Sequence, residues 1–139
     1  MGEDLAPISE LLARPWLDGD GLTSARQLVA QFIAYWDAHR AILRTRNLAA
    51  QEGDQRFRAV RIDALRPLRE GLAAKVEEAQ RAGRVEGELS PLAAAAALSA
   101  MLERMAAFHG DLEAYGAPSD DIVEATARIV CQTVTGRTA

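Results

Sequence analysis

The side chains that could act as nucleophile, general base or metal ligand are few, and their spacing carries little chemistry. His39 and His109 lie far apart, and neither begins the His/Glu or His/Cys spacing that holds zinc. Glu103, Asp111 and Glu113 flank His109, but the Glu-x-x-His pairs of di-iron bundles are absent. No phosphate-cradling glycine loop and no nucleophile elbow occur. Cys131 stands in an apolar helical stretch, where a thiol acts as a small packed hydrophobe. The expectation is a protein without catalytic residues, metal site or cofactor, and not an enzyme.

Binding is better supported than catalysis. A stretch from Leu22 to Gln51 reads as one long helix with an apolar stripe of Ala25, Leu28, Phe32, Trp36 and Leu43. His39 sits on that stripe, and Arg46 and Asn47 continue it by a turn. Burying such groups unpaired costs about 1–3 kcal/mol each, more for a charge, so each must find a partner, water or a cavity. Two readings follow. In one, His39 bonds a nearby carboxylate or carbonyl while Arg46 snorkels to solvent or pairs with Glu52 or Asp54. In the other, Phe32, Trp36, Leu43, Phe57, Val60, Leu68 and Met101 wall a mostly apolar pocket in which His39 and Asn47 orient a ligand.

Glycines and prolines punctuate segments of helical rather than strand period, so the fold is all α, a bundle of about six helices. A first segment, Asp4 to Arg14, carries Leu5, Ile8 and Leu12 on one face and stops before Pro15. After the long helix, Asp54 caps the next one, which Pro67 is expected to kink or break. Its continuation ends at Gly83, and residues 84–89 form a loop. Ser90 followed by Pro91 opens a helix expected to end at about His109, and Ser119 is expected to cap a last helix that stops at Gly136. Leu98, Leu102 and Met105 on one of these helices, with Ile122, Val123, Thr126, Ile129 and Val130 on the other, offer more apolar surface than a small bundle needs. That surplus suggests a homodimer joined through an intersubunit four-helix bundle; the alternative is that both helices pack wholly inside the monomer.

Composition sets the class. The chain has 139 residues, 49% of them hydrophobic and 26% charged, enough for one domain with its own core. Its net charge of −4, from 16 basic against 20 acidic residues, argues against nucleic-acid binding by these residues. Arg44, Arg46, Arg56, Arg58, Arg61, Arg66 and Arg69 cluster in sequence, yet they spread around several helix faces as solvated surface. One cysteine forms no internal disulfide, and no signal sequence or membrane span stands out, so a cytoplasmic location with no membrane partner is expected.

The segment YWDAHRAILRTRNLAAQEGDQRFRAVR (35–61), then AQRAGRV (79–85), the alanine-rich run into MLERMA (101–106) and the closing VTGR (134–137) resemble, in order and spacing, the C-terminal half of TetR-type transcriptional repressors. The resemblance covers nearly the whole chain. It implies a single effector-binding and dimerisation domain over residues 1–139, with residues 1–14 as the end of the helix that leads to an N-terminal helix-turn-helix domain. That DNA-reading segment has no counterpart in these residues, so operator DNA would be a partner only of a longer protein. The implied ligand is a small, largely apolar effector, held between the long helix and the helices around Pro67. Trp36, His39, Leu43, Asn47 and Phe57 are its expected contacts. A stand-alone helical protein binding a small molecule or a partner, with no DNA role, is the alternative.

Overall fold

A computed structural model describes residues 5–137, apart from the side chains of Phe57 and Arg61. The described residues form six helices and no strand: α1 (Ala6–Ala13), α2 (Gly21–Ala38), α3 (Arg40–Gln51), α4 (Gln55–Arg81), α5 (Pro91–Tyr115) and α6 (Ser119–Thr135). The first helix is therefore shorter than the expected span, whose start at Asp4 lies outside the described residues.

One helix boundary falls where no glycine or proline marks it. The long helix divides at His39, whose backbone leaves the helical region at φ −123° and ψ 23°. The His39 amide is shared between the carbonyls of Tyr35 and Trp36, each at 3.2 Å. The His39 ring places Nδ1 2.9 Å from the Tyr35 carbonyl oxygen, which can only accept, so Nδ1 is the donor. A side chain competing for a helical carbonyl is a known local helix breaker. Conversely, α4 runs unbroken through Pro67, against the expected interruption. Pro67 is exposed, so the groups freed by its missing donor face water, and Arg69 Nη1 supports the same stretch by donating to the Ile62 carbonyl at 3.2 Å.

The remaining boundaries follow local chemistry. The Asp54 carboxylate accepts from the Arg56 amide, and Ser90 Oγ accepts from the Ala93 amide at 3.1 Å, so both sequence-read caps are in place. In the α4–α5 loop, the Gln80 side-chain amide donates to the carbonyls of Glu86 and Leu89. Helix α5 continues through Gly110 to Tyr115 rather than ending at His109, and stops at Gly116 with φ +119°. Pro118, not Ser119, precedes the first residue of α6, and Ser119 makes no capping bond. Asp120 and Asp121 still sit in the first turn, where the helix dipole favours them.

The core is built from one stripe per helix. Leu28, Phe32 and Trp36 of α2, Leu72 and Val76 of α4, Leu98 and Leu102 of α5, and Val130 and Val134 of α6 form one continuous buried cluster. Helix α2 packs mainly on α6 and α5, α4 on α5 and α3, and α1 crosses α4 and α2. The α1–α4 crossing is close because Gly71 lacks a side chain: a Cβ there would lie 2.8 Å from Leu12 Cδ1. Trp16, in the loop after α1, is 2% exposed and donates from its indole to the Leu11 carbonyl at 3.0 Å. Lys75 of α4 covers that ring and donates to the Arg14 carbonyl, a favourable cation beyond the end of α1; burial lowers its pKa. Helix α5 alone among the described helices is long and apolar enough to cross a membrane, and in this fold α2, α4 and α6 all pack on it.

Candidate functional site

Two buried charges of opposite sign meet where α3 faces α5. Arg46 of α3 and Glu103 of α5 are 5% and 7% exposed, and Arg46 Nη2 donates to Glu103 Oε2 at 3.5 Å. Arg46 also donates from Nε and Nη2 to Asn47 Oδ1, both at 3.2 Å. The arginine therefore does not snorkel to solvent; it turns inward, because α3 presents it to α5 one turn after Leu43. Within α5, Glu103 lies one turn from Ser99, whose hydroxyl is satisfied by the Ala95 carbonyl at 2.8 Å. An ion pair taken out of water gains little net stability, but a one-sided loss is costly, so its presence fixes the α3–α5 register more than it strengthens the fold.

Hollows lie on either side of this bridge. Between α4 and α5, Ile62, Leu65, Arg69, Ala96, Ser99, Ala100 and Glu103 enclose about 160 Å³. On the opposite side, Trp36, Arg44, Asn47, Leu48, Gln51, Arg104, Ala107 and Phe108 enclose about 330 Å³ where α2 and α3 meet α5. Small-molecule sites span roughly 300–1,000 Å³. The second hollow reaches that range and the first does not. A third, of about 360 Å³, lies in the α1–α2 loop among Arg14, Pro15, Asp18, Asp20, Thr23, Ser24 and Gln27, with no aromatic or large aliphatic side chain in its lining.

A second polar cluster ties the α2–α3 break to α5. Arg40 Nη1 donates to the Ala107 carbonyl at 2.7 Å, and its other terminal nitrogen reaches Asp37 Oδ1 at 2.5 Å. His109 Nε2 lies 2.7 Å from the same Asp37 oxygen, and its Nδ1 lies 3.3 Å from Glu113 Oε2. Partial burial raises the Asp37 pKa, but bonds from His109 and Arg40 outweigh it and hold the carboxyl below its ordinary value.

These placements sort the expected ligand contacts. Trp36 and Asn47 do line the larger hollow. Phe32, Leu43 and Leu68 are core residues, each under 5% exposed, and Met101 packs against that core. His39 is half-buried and occupied by the Tyr35 carbonyl. Val60 points outward at 52% exposure, and the Phe57 side chain lies outside the description. Leu48, Arg104 and Phe108 escaped the sequence reading because their exposure separates them from every apolar stripe. Glu103 left a signal: an acid in helical phase with Ser99 and Ala106 on the core face of an apolar helix.

The expected interface residues divide likewise. Leu98, Leu102, Ile122, Thr126 and Val130 are each under 5% exposed inside this chain's own core, so they are not presented outward. Met105 and Val123 are half-buried, and Ile129 is 48% exposed. The apolar face that α5 does present runs through Leu92, Ala93, Ala96, Ala97, Ala100 and Phe108.

Among the described residues no group of three or more His, Cys, Asp or Glu side chains could hold a metal ion. No match was found among curated proteins or solved structures. A family model, the tetracyclin repressor-like C-terminal domain, matches residues 8–139, and the all-helical architecture agrees with it. By that match over nearly its whole length, this chain belongs to the tetracyclin repressor-like C-terminal domain family.

Proposed function

We propose that this chain is an effector-sensing and homodimerisation domain of a cytoplasmic transcriptional repressor, and that its effector sits in the hollow between α2, α3 and α5. The observation that carries this reading is the buried Arg46–Asn47–Glu103 bridge, whose Asn47 end lines that hollow while its Glu103 end lines the hollow on the far side of α5. A small, largely apolar ligand resting on Trp36, Leu48 and Phe108 would touch Asn47. Any preference for one arrangement of the bridge then becomes a preference for one position of α5.

The outward faces of α5 and α6, with Leu92, Ala97 and Ile129, supply the surface for a second copy. A shift of α5 would therefore change how two subunits meet. Regulation needs only that the effector bind the two arrangements with different affinities. Operator binding belongs, in this reading, to a helix-turn-helix segment outside these residues, consistent with the net charge of −4. Residues 1–139 act as one domain.

The test is a thermal-shift screen of small apolar compounds against the wild type, Ala107→Trp and Ala100→Trp. Ala107→Trp fills the α2–α3–α5 hollow and Ala100→Trp the α4–α5 hollow. Hits are expected to stabilise the wild type by roughly 2.7 kcal/mol at 100 times their dissociation constant. They should be lost in Ala107→Trp and kept in Ala100→Trp. The reverse pattern would move the seat to the smaller hollow.

A further inference from the structure

We infer that the hollow between α2, α3 and α5 selects an anionic ligand with an aromatic or flat apolar body, an inference that rests on this hollow being a ligand seat. Two guanidinium groups line it, those of Arg44 and Arg104. Neither meets a carboxylate among the described residues, whereas Arg26, Arg40, Arg46, Arg66 and Arg128 each have one. Guanidinium stays charged at any physiological pH and offers forked donors that match a carboxylate or phosphate edge. Two such groups lining one hollow, one from α3 and one from α5, make it a local positive site in a chain with a net acidic balance.

The body of the ligand is specified by the rest of the wall. Arg104 lies over the Phe108 ring, 4.2 Å from its centroid, which holds its planar group against an aromatic face. Phe108 and Leu48 are exposed apolar side chains at 37% and 58%, and the buried Trp36 contributes to the lining from the core. The side-chain amides of Asn47 and Gln51 add neutral polar groups. A flat apolar acid would cover Phe108 and Leu48 while its charged end accepts from Arg44 and Arg104. The smaller hollow has one guanidinium, Arg69, which is engaged by the Ile62 carbonyl, and serves as the internal control.

Calorimetric titration of the full chain with naphthoate and with its neutral analogue naphthamide tests this. Naphthoate is expected to bind roughly tenfold more tightly. Arg44→Gln and Arg104→Gln should each reduce that preference several-fold, and the double variant should abolish it. Both residues are at the surface, so the variants fold, and Arg69→Gln should leave the preference intact. Equal affinity for the two compounds, with both lost in Ala107→Trp, overturns the anionic preference while leaving the ligand seat in place. A preference that survives the Arg44 and Arg104 substitutions also overturns it. Failure of both compounds to bind at millimolar concentration removes the seat and this inference together.

Discussion

The two ends of the bundle are built on different terms. Where α1, α2 and α6 meet, Trp16, Leu28, Val130 and Val134 are almost fully enclosed, and the buried charge there, Lys75 of α4, is a single cation that lies over Trp16 and donates to the Arg14 carbonyl; the ion pairs are at the rim. There Glu124 accepts from Arg26 through both carboxylate oxygens, at 2.7 and 2.8 Å. Around α3, the first half of α4 and the middle of α5, an ion pair lies inside, hollows flank it, and Ile42, Leu48, Val60 and Ile62 are left outside. A uniformly packed interior resists small rearrangements. Surface clefts beside a buried polar bridge leave the neighbouring side chains room to rearrange, which a ligand needs if it is to select between states.

Substitutions should separate the two ends by the size of their effects. Trp16→Ala removes the largest enclosed side chain and its indole bond, and should cost about 4 kcal/mol in denaturant unfolding. Glu103→Ala strands a buried guanidinium and should cost about 3 kcal/mol, although Asn47 still accepts from it. Replacing both partners, Arg46→Met with Glu103→Leu, should recover most of that loss. A cost for the pair as large as for Glu103→Ala alone would mean that the bridge holds the fold rather than setting its register.

On the outer face of the looser end the effects shrink. Ile62→Ser and Val60→Ser should each change stability by less than about 0.5 kcal/mol, being largely exposed. A large loss at either would reveal packing that this comparison denies. The smallest effect expected is in acid. The Arg26 bond holds the Glu124 carboxyl at about 2, down from an ordinary 4.5, against slight burial and with help from Arg128. Its stabilisation is therefore complete above 4.5 and lost as pH falls towards 2. Glu124→Gln should lower stability above pH 4.5 and flatten that acid limb of the profile, leaving the cost of the α3–α5 substitutions unchanged.

The tight end was more legible in the sequence than the loose one. Helical phase alone placed Ala25, Leu28 and Phe32 on one apolar stripe, and all three are buried in the core, because burial there follows one uninterrupted period. The break at His39 was not legible, since it depends on a ring reaching back to a carbonyl rather than on a glycine or proline. Pro67 misled for the converse reason: an exposed proline can leave its orphaned groups to water. Arg46 stood out as a charge on an apolar stripe, but its partner Glu103 is 57 positions away and only the tertiary packing joins them. The α2–α3–α5 hollow is lined mostly by exposed residues from three helices, and no periodicity marks such a set.

Native-state hydrogen exchange, with and without a hit from the thermal-shift screen, tests the division most directly. Amides of α3 and the first half of α4 should exchange through local openings well below the global unfolding free energy, while α2 and α6 exchange only by global unfolding. The ligand should slow exchange first in α3 and the middle of α5. Uniform exchange across all helices, or protection confined to α1, α2 and α6, would contradict a sensing end set against a rigid one.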